Sequence, residues 1–441
     1  MDMATTTPLL LLIAAMAVAA SVLLSLRHGH GHARKSTTSR LRLPPGPPAL
    51  LFLVKFLALR RSIFDLGPLL RDMHARYGPV ISLRLARTLL VFVADRRLAH
   101  RALVQGGATF ADRPPLLLAP SAATSPARRS SRPARWACDG LVSSLRARAA
   151  AADGDKAVVT LRPLLRRAMF ELLVYMCFGA RLGHDELDEI ERLQHQALLS
   201  VTSFPVFAFF PAITKRLFRR RWEASVAVRR RQDEVFVPLI HGAGRSGGDG
   251  DHPPCYAESL RSLRVPDDGG DNRLLTDAEM VSLCSEFLNG GTDTTVTLVE
   301  WIMAELVNHP DVQAKVHEEV VRDDKPDDLD GGQAAPYLKA VVLEGLRLHP
   351  PGHFVLPHGV RSDAAEIGGY AVPRGAEVNF LVAEIGRDEA VWTAAREFRP
   401  EREMEWRPAA DGVAVDMAEV LDFTTVMKQP LRACISIRKG L

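Results

Sequence analysis

Between Thr276 and Pro310 the chain reads "TDAEMVSLCSEFLNGGTDTTVTLVEWIMAELVNHP". Thr276 and Glu279 have the spacing of a capping box, and no proline follows until 310, so the stretch predicts one helix of roughly 48 Å at 1.5 Å per residue. A helix of that length crosses a whole domain, and the rest of the chain has to pack around it. Its middle, "LNGGTDTT", is unusual for a buried helix. Gly290 and Gly291 each cost about 1 kcal/mol relative to alanine, and they leave room for something to lie against the backbone. Thr294 is placed to bond back to the carbonyl four residues earlier, which loosens the ladder. The alternative is a break here between two shorter helices.

Helical periodicity dominates elsewhere, interrupted by alternating pieces such as "VISLRLARTLLVFVAD" (80–95), which predicts a hairpin or small sheet. The fold class is therefore mainly α with small β-sheets. With 441 residues, 47% hydrophobic and 24% charged, the chain can bury one large core or two ordinary ones. The net charge of +4, from 56 basic and 52 acidic residues, gives no nucleic-acid-binding surface. "KRLFRRRW" (215–222) and "RRR" (229–231) alternate with apolar residues as a solvated helix face, with a membrane-surface role as the alternative. Five cysteines without a C-x-x-C pair exclude a zinc module and suit a reducing compartment. From 242 to 272 the Gly- and Asp-rich sequence marks an exposed connection.

The N-terminus predicts a membrane anchor. From Leu9 to Leu26 only Ser21 and Ser25 are polar, and eighteen helical residues span ~27 Å, close to the hydrocarbon thickness. Arg27, Arg34, Lys35, Arg40 and Arg42 follow the run, which keeps the body on the cytosolic side. The "AVA" triplet at 17–19 leaves a cleaved, secreted form as an alternative. "HGHGH" (28–32) reads as flexible linker, and "LPPGPP" (43–48) as a stiff extended stretch between anchor and body. These boundaries give an anchor with its basic flank at 1–35 and a body at 36–441.

"PYLKAVVLEGLRLH" predicts a helix opened by Pro336 and stopped before "PPG". Glu344 and Arg347, three apart, share a face. They sit among Val341, Val342, Leu343 and Leu346, so the pair is expected to be buried and to need further partners. Arg402 in "FRPER" is the candidate third member.

The order of the anchor, "LPPGPP", "TFADRPP" (109–115), "GGTDTT" (290–295), Glu344-x-x-Arg347, "EIGRDEAVW" (384–392) and "FRPER" (398–402) resembles the membrane-anchored plant cytochrome P450 monooxygenases, family eighty-nine in particular. The resemblance covers nearly the whole chain. It implies a largely helical domain holding haem between the glycine-bearing helix and a loop that supplies a cysteine thiolate. It implies proton handling by Asp293 and Thr294, a structural triad of Glu344, Arg347 and Arg402, and a haem-propionate contact from His358. It further implies an endoplasmic reticulum membrane location, contact with membrane lipid, electrons from NADPH through a partner reductase, and a small apolar substrate. The segments that would line the pocket, about 110–125 and 200–220, carry only generic apolar residues, so the substrate itself is not legible.

The family's cysteine loop, F-x-x-G-x-R-x-C-x-G, is not recognisable. Aligned on Cys434 it meets Met427, Pro430, Arg432 and Ser436, a single match. "DFTTVMKQPLRA" resembles the family's terminal strand pair instead, so Cys434 is read as a bystander and no metal ligand is assigned. Arg402 is followed by "EMEWRPAADGVAVDM", which resembles sequence downstream of the loop, so dozens of residues are missing near 402–405. A second gap is expected near 120–140, where the family has a helix carrying Trp-x-x-x-Arg. Trp136 meets Gly140 at that spacing, and no helical period shows there. The fold is thus expected to be an incomplete cytochrome P450, a monooxygenase by descent that is inactive through a truncated gene or a gene-model error. The alternatives are a non-catalytic membrane protein retaining a partner-binding shell, and a working enzyme with an unusual iron ligand.

The anchor reading has a direct test. The expressed protein should stay in the membrane pellet through an alkaline wash, and removal of residues 1–35 should release it. Recovery of a secreted, cleaved form would overturn the reading.

Overall fold

The computed structural model describes residues 42–48, 67–85, 88–112, 131–150, 157–202, 211–243, 255–266, 272–322, 335–363, 365–400, 419–421, 425–427 and 432–435. The anchor segment Leu9–Leu26 and Arg402 lie outside these. No helix among the described residues is long and apolar enough to cross a membrane. In chain order the elements are α1 (Gly67–Tyr77), β1 (Val80–Leu85), β2 (Thr88–Val93), α2 (Arg96–His100), α3 (Ser131–Ala150), β3 (Ala157–Thr160), α4 (Leu161–Phe178), α5 (His184–Thr202), α6 (Pro211–Leu217) and α7 (Arg219–Gly242). There follow α8 (Tyr256–Arg261), β4 (Arg264–Pro266), β5 (Asn272–Leu274), α9 (Asp277–Asn308), α10 (Pro310–Arg322), α11 (Pro336–Leu348), β6 (His358–Gly359), β7 (Glu366–Ile367), β8 (Tyr370–Ala371), β9 (Glu377–Phe380) and α12 (Val382–Gly386), then β10 (Glu419–Leu421), β11 (Thr425–Met427) and β12 (Arg432–Ile435). The chain divides into two compact units, residues 1–116 with 353–391, and residues 117–352 with 392–441.

The first unit is built on a sheet of order β1-β2-β9-β6. The predicted hairpin forms, with Val80 opposite Val93 and Leu83 opposite Leu90. Val91, Val93, Val378 and Phe380 are buried on it with Phe110 and Val360. "LPPGPP" lies along β1, where the Ser82 backbone N–H donates to Pro45 O at 2.8 Å and its hydroxyl donates to Pro44 O at 2.7 Å. A Cβ on Gly46 would fall 1.8 Å from the Ser82 carbonyl oxygen, so only glycine permits this approach. The proline stretch is thus a packed part of the unit.

The second unit is helical and organised around α9. The Thr276 side chain accepts from the Glu279 N–H, and Glu279 accepts from the Thr276 N–H at 2.8 Å, completing the capping box. The Arg273 guanidinium, reinforced by Thr276, holds the Glu279 carboxyl down at about 2. The helix runs unbroken through the glycines to Asn308, which removes the two-helix alternative. Phe170, Phe178, Phe236 and Leu288 from α4, α7 and α9 make one core, each contributing about 1.5–3 kcal/mol of apolar burial. Ile302, Val312, Tyr337, Val341 and Phe398 make another with α10 and α11. The basic runs on α6 and α7 are a solvated face, where Arg219–Glu223, Arg229–Asp233 and Arg230–Glu234 pair along the helix. The Gly- and Asp-rich connection contains α8 and the β4–β5 pair.

The absence of helical period near 120–140 is corrected in its second half, because α3 is a 20-residue helix. Its inward stripe, Ala137, Leu141 and Leu145 at i, i+4, i+8, is narrow and hidden among Arg and Ser. Leu145 packs with Leu161 and Trp301. Trp136 lies against Tyr175 at 6.0 Å and under the Arg181 guanidinium at 4.4 Å.

Glu344 and Arg347 are buried together, with side-chain exposures of 6% and 7%. Two contacts of 2.7 Å join them as a fork. Their surroundings differ from the expectation, since only Val341 of the four named apolar neighbours is buried, while Val342, Leu343 and Leu346 are exposed. The coil after Trp392 supplies the cover. Arg347 donates to Ala395 O at 2.7 Å and Glu397 O at 3.0 Å, and the Arg399 N–H donates to Glu344 at 2.8 Å. These backbone groups join the pair among the described residues, and the expected third member, Arg402, lies outside them. Glu344→Ala strands a buried guanidinium and should cost about 3–5 kcal/mol. A melting curve unchanged from the parent would show the pair to be dispensable.

Candidate functional site

Gly290, Gly291, Asp293 and Thr294 lie within little more than one turn at the middle of α9. The two glycines face different surroundings. A Cβ on Gly291 would meet Leu173 Cδ atoms of α4 at 2.9 Å, whereas one on Gly290 meets nothing within 4 Å. Gly291 therefore lets two helices approach, and Gly290 opens the face that was expected to receive something against the backbone.

Hydroxyl back-bonding is also present. Thr294 Oγ1 donates to Gly290 O at 2.6 Å, and Thr292 Oγ1 donates to Leu288 O at 2.7 Å. Two such bonds beside two glycines give the carbonyls of this turn second partners and weaken its rigidity. The Thr294 hydroxyl proton is committed to Gly290, which leaves its oxygen as the acceptor on this turn.

Asp293 is tied down. Its carboxylate pairs with Arg166 of α4, whose Nε lies 2.6 Å from Glu191 of α5. Burial alone would pull the Arg166 guanidinium down, but the two carboxylates outweigh it and its pKa is raised. The guanidinium is thereby held as a cation beside Asp293. Arg166 was not legible in the sequence as a site residue, because nothing local in "LRPLLRRAMFELL" separates it from Arg162 or Arg167. Glu286 lies one turn before Gly290, and partial burial raises its carboxyl pKa.

His358 belongs to the first unit. Its Nδ1 lies 2.7 Å from Phe110 O, and its ring stands edge-on to Phe380 at 5.7 Å. A carbonyl only accepts, so this bond requires the proton on Nδ1. Arg402 is outside the described residues. Cys434 lies on β12, where its backbone pairs opposite Val158 of β3.

Comparison with known proteins decides the family. The cytochrome P450 family model matches residues 135–403, more than half of the chain. The chain belongs to the cytochrome P450 family. It is 37% identical to "Cytochrome P450 89A9" of Arabidopsis thaliana, with 84% of this chain and 79% of the relative aligned. It is 29% identical to "Flavonoid 3'-monooxygenase" of the same plant over 87% of this chain and 79% of that protein. It is 30% identical to "9-beta-pimara-7,15-diene oxidase" of Oryza sativa subsp. japonica over 83% and 77%. A zebra fish cytochrome P450 structure with progesterone shares the fold at a TM-score of 0.60 and 22% identity, covering 76% of this chain and 83% of that one. These relationships make this a plant cytochrome P450 similar to family eighty-nine. Family membership implies haem, and plant members typically take electrons from NADPH through a reductase.

The glycine pair yields opposite expectations for one substitution. Gly290→Ala should raise stability by about 1 kcal/mol through helix propensity. Gly291→Ala should lower it by about 1–3 kcal/mol through overpacking on Leu173. Denaturant midpoints for the two variants, equal to each other, would refute the division.

Proposed function

We propose that this protein descends from haem-thiolate monooxygenases of the endoplasmic reticulum membrane, anchored through Leu9–Leu26 with its body in the cytosol. The intact gene product inserts oxygen into a small apolar substrate with electrons passed from NADPH by a membrane reductase. Relatives named for a flavonoid and a diene support a small carbon skeleton as substrate. Asp293 and Thr294 manage protons on α9, His358 stands at the position that meets a haem propionate, and Glu344 with Arg347 has a structural role. The chain as given lacks the loop that binds iron through sulfur, and it is inactive.

The carrying observation is where the family match stops. It ends at residue 403, directly beyond the coil that caps Glu344 and Arg347, and F-x-x-G-x-R-x-C-x-G does not occur in the sequence. The match begins at 135, within α3.

The cysteines present do not fit a thiolate ligand. Cys177 and Cys284 are fully buried in the α4–α9 core, and burial pushes the Cys177 thiol well up. Cys255 caps the start of α8, and burial raises its thiol too. A raised thiol is a poor source of thiolate. Cys138 is exposed on α3, and Cys434 is part of a strand ladder. No catalytic step through haem is therefore assigned to this chain.

The sequence on both sides of Arg402 keeps its motifs and its apolar patterning, which supports removal of a block over gradual decay. The reduced protein with carbon monoxide should lack the red-shifted Soret band of a thiolate-bound haem. Sequencing the transcript across Arg402–Glu405 should reveal a longer message encoding the cysteine loop. A message identical to the given join would mean a real and inert protein, and a red-shifted band from this chain would overturn the proposal.

A further inference from the structure

A cavity of about 150 Å³ lies in the second unit beside α3, α4 and the start of α5. Val174, Leu182 and Leu187 give it apolar walls, Trp136 adds an indole ring, and Arg181 and His184 bring polar groups to it. An apolar cavity of roughly 150 Å³ takes one benzene-sized ring. The walls therefore suit a ligand with a single ring and little more.

Arg181 sets the polar end of that ligand. Its guanidinium lies over the Trp136 ring at 4.4 Å and over the Tyr175 ring at 5.9 Å. Stacking uses the face of a guanidinium and leaves its N–H edges for a planar acceptor. Among the described residues no hydrogen bond or ion pair takes those edges. The arginines of α4 differ, since Arg162 pairs with Glu300, Arg166 with Asp293 and Arg167 with Glu171. The acids near Arg181 are already engaged elsewhere. Glu171 lies 2.7 Å from Arg167 Nε, Asp188 pairs with the same guanidinium, and Glu186 accepts from the Gly183 N–H at 3.0 Å. Arg181 is left without a counter-charge of its own.

Arg167 also fixes the state of His184. Its Nη2 lies 2.7 Å from His184 Nδ1, and a guanidinium only donates, so Nδ1 accepts and the ring proton sits on Nε2. His184 thus brings a second donor to the cavity. A neutral ring would fill the walls and leave Arg181 unpaired, and an amine would meet it with like charge.

We propose that this cavity binds a small one-ring aromatic carboxylate, with the ring among Val174, Leu182 and Leu187 and the carboxylate on the edge of Arg181 beside His184. The site uses no haem-holding group and none of the residues assigned to proton handling, so the inference stands apart from the reaction proposed above. Its occupant touches α3, α4, α5 and the coil between the last two, and binding raises Tm as ligand is added.

The full chain, purified in detergent, is titrated by calorimetry with benzoate and with benzamide, its uncharged counterpart. Benzoate should bind roughly tenfold more tightly, the worth of one charge-assisted hydrogen bond. Arg181 is exposed in the coil, so Arg181→Gln should keep the parent's Tm without ligand and lose the preference for benzoate. Leu182→Trp fills the cavity and should weaken both ligands severalfold. Equal binding of benzoate and benzamide by the parent would overturn the carboxylate, and benzoate held equally by the parent and Arg181→Gln would place it elsewhere. Undiminished binding to Leu182→Trp rejects the cavity, as does the absence of any binding at about 10 mM, where a millimolar site is nearly full. Where Leu182→Trp does not accumulate, hydrogen exchange on the parent decides. Benzoate should slow exchange across 180–187, and unchanged exchange there rejects the site.

Discussion

The second unit depends on matching the acids that α9 carries into its interior. Glu300 is fully buried and meets Arg162 of α4 at 2.6 Å. Glu305 is buried against His349 at 2.6 Å, with the His349 ring stacked on Trp301 at 4.3 Å. Asp293 is held by Arg166. An unpaired charge at any of these places would cost several kcal/mol, so α4 and the end of α11 cannot slide along α9 without leaving one stranded. Apolar packing brings these helices together, and the ion pairs fix their register.

The open parts of the unit then stand out by contrast. Where α9 faces α4, Gly291 is filled by Leu173, while one residue away Gly290 faces empty space. Where α11 faces α9 it is packed to the limit of a glycine, while its outer side exposes Leu338, Val342, Leu343 and Leu346. Both lie on helices held rigidly from behind, which is how a fold keeps a site open without losing its shape.

The sequence by itself determined the features whose causes are local. The capping box of Thr276 and Glu279, the Thr294 back-bond and the 80–93 hairpin need only a few neighbouring residues, and each formed as its spacing required. The order of motifs likewise carried the family, because six weak patterns in the right sequence constrain one another. The Glu344–Arg347 pair was legible because i, i+3 spacing puts both on one helix face. Tertiary structure alone decided what fills the space around these elements. Among the described residues that pair is met by carbonyls and an N–H some fifty residues away, which side-chain chemistry in a sequence does not advertise. Asp293 was assigned a role from its position, but its attachment to Arg166 depends on which of several arginines on α4 faces α9. The difference between Gly290 and Gly291, and between the inner and outer arcs of α11, exists only once two helices are packed. A residue type fixes what a position can tolerate; its neighbours across the fold decide whether that position is filled or left open.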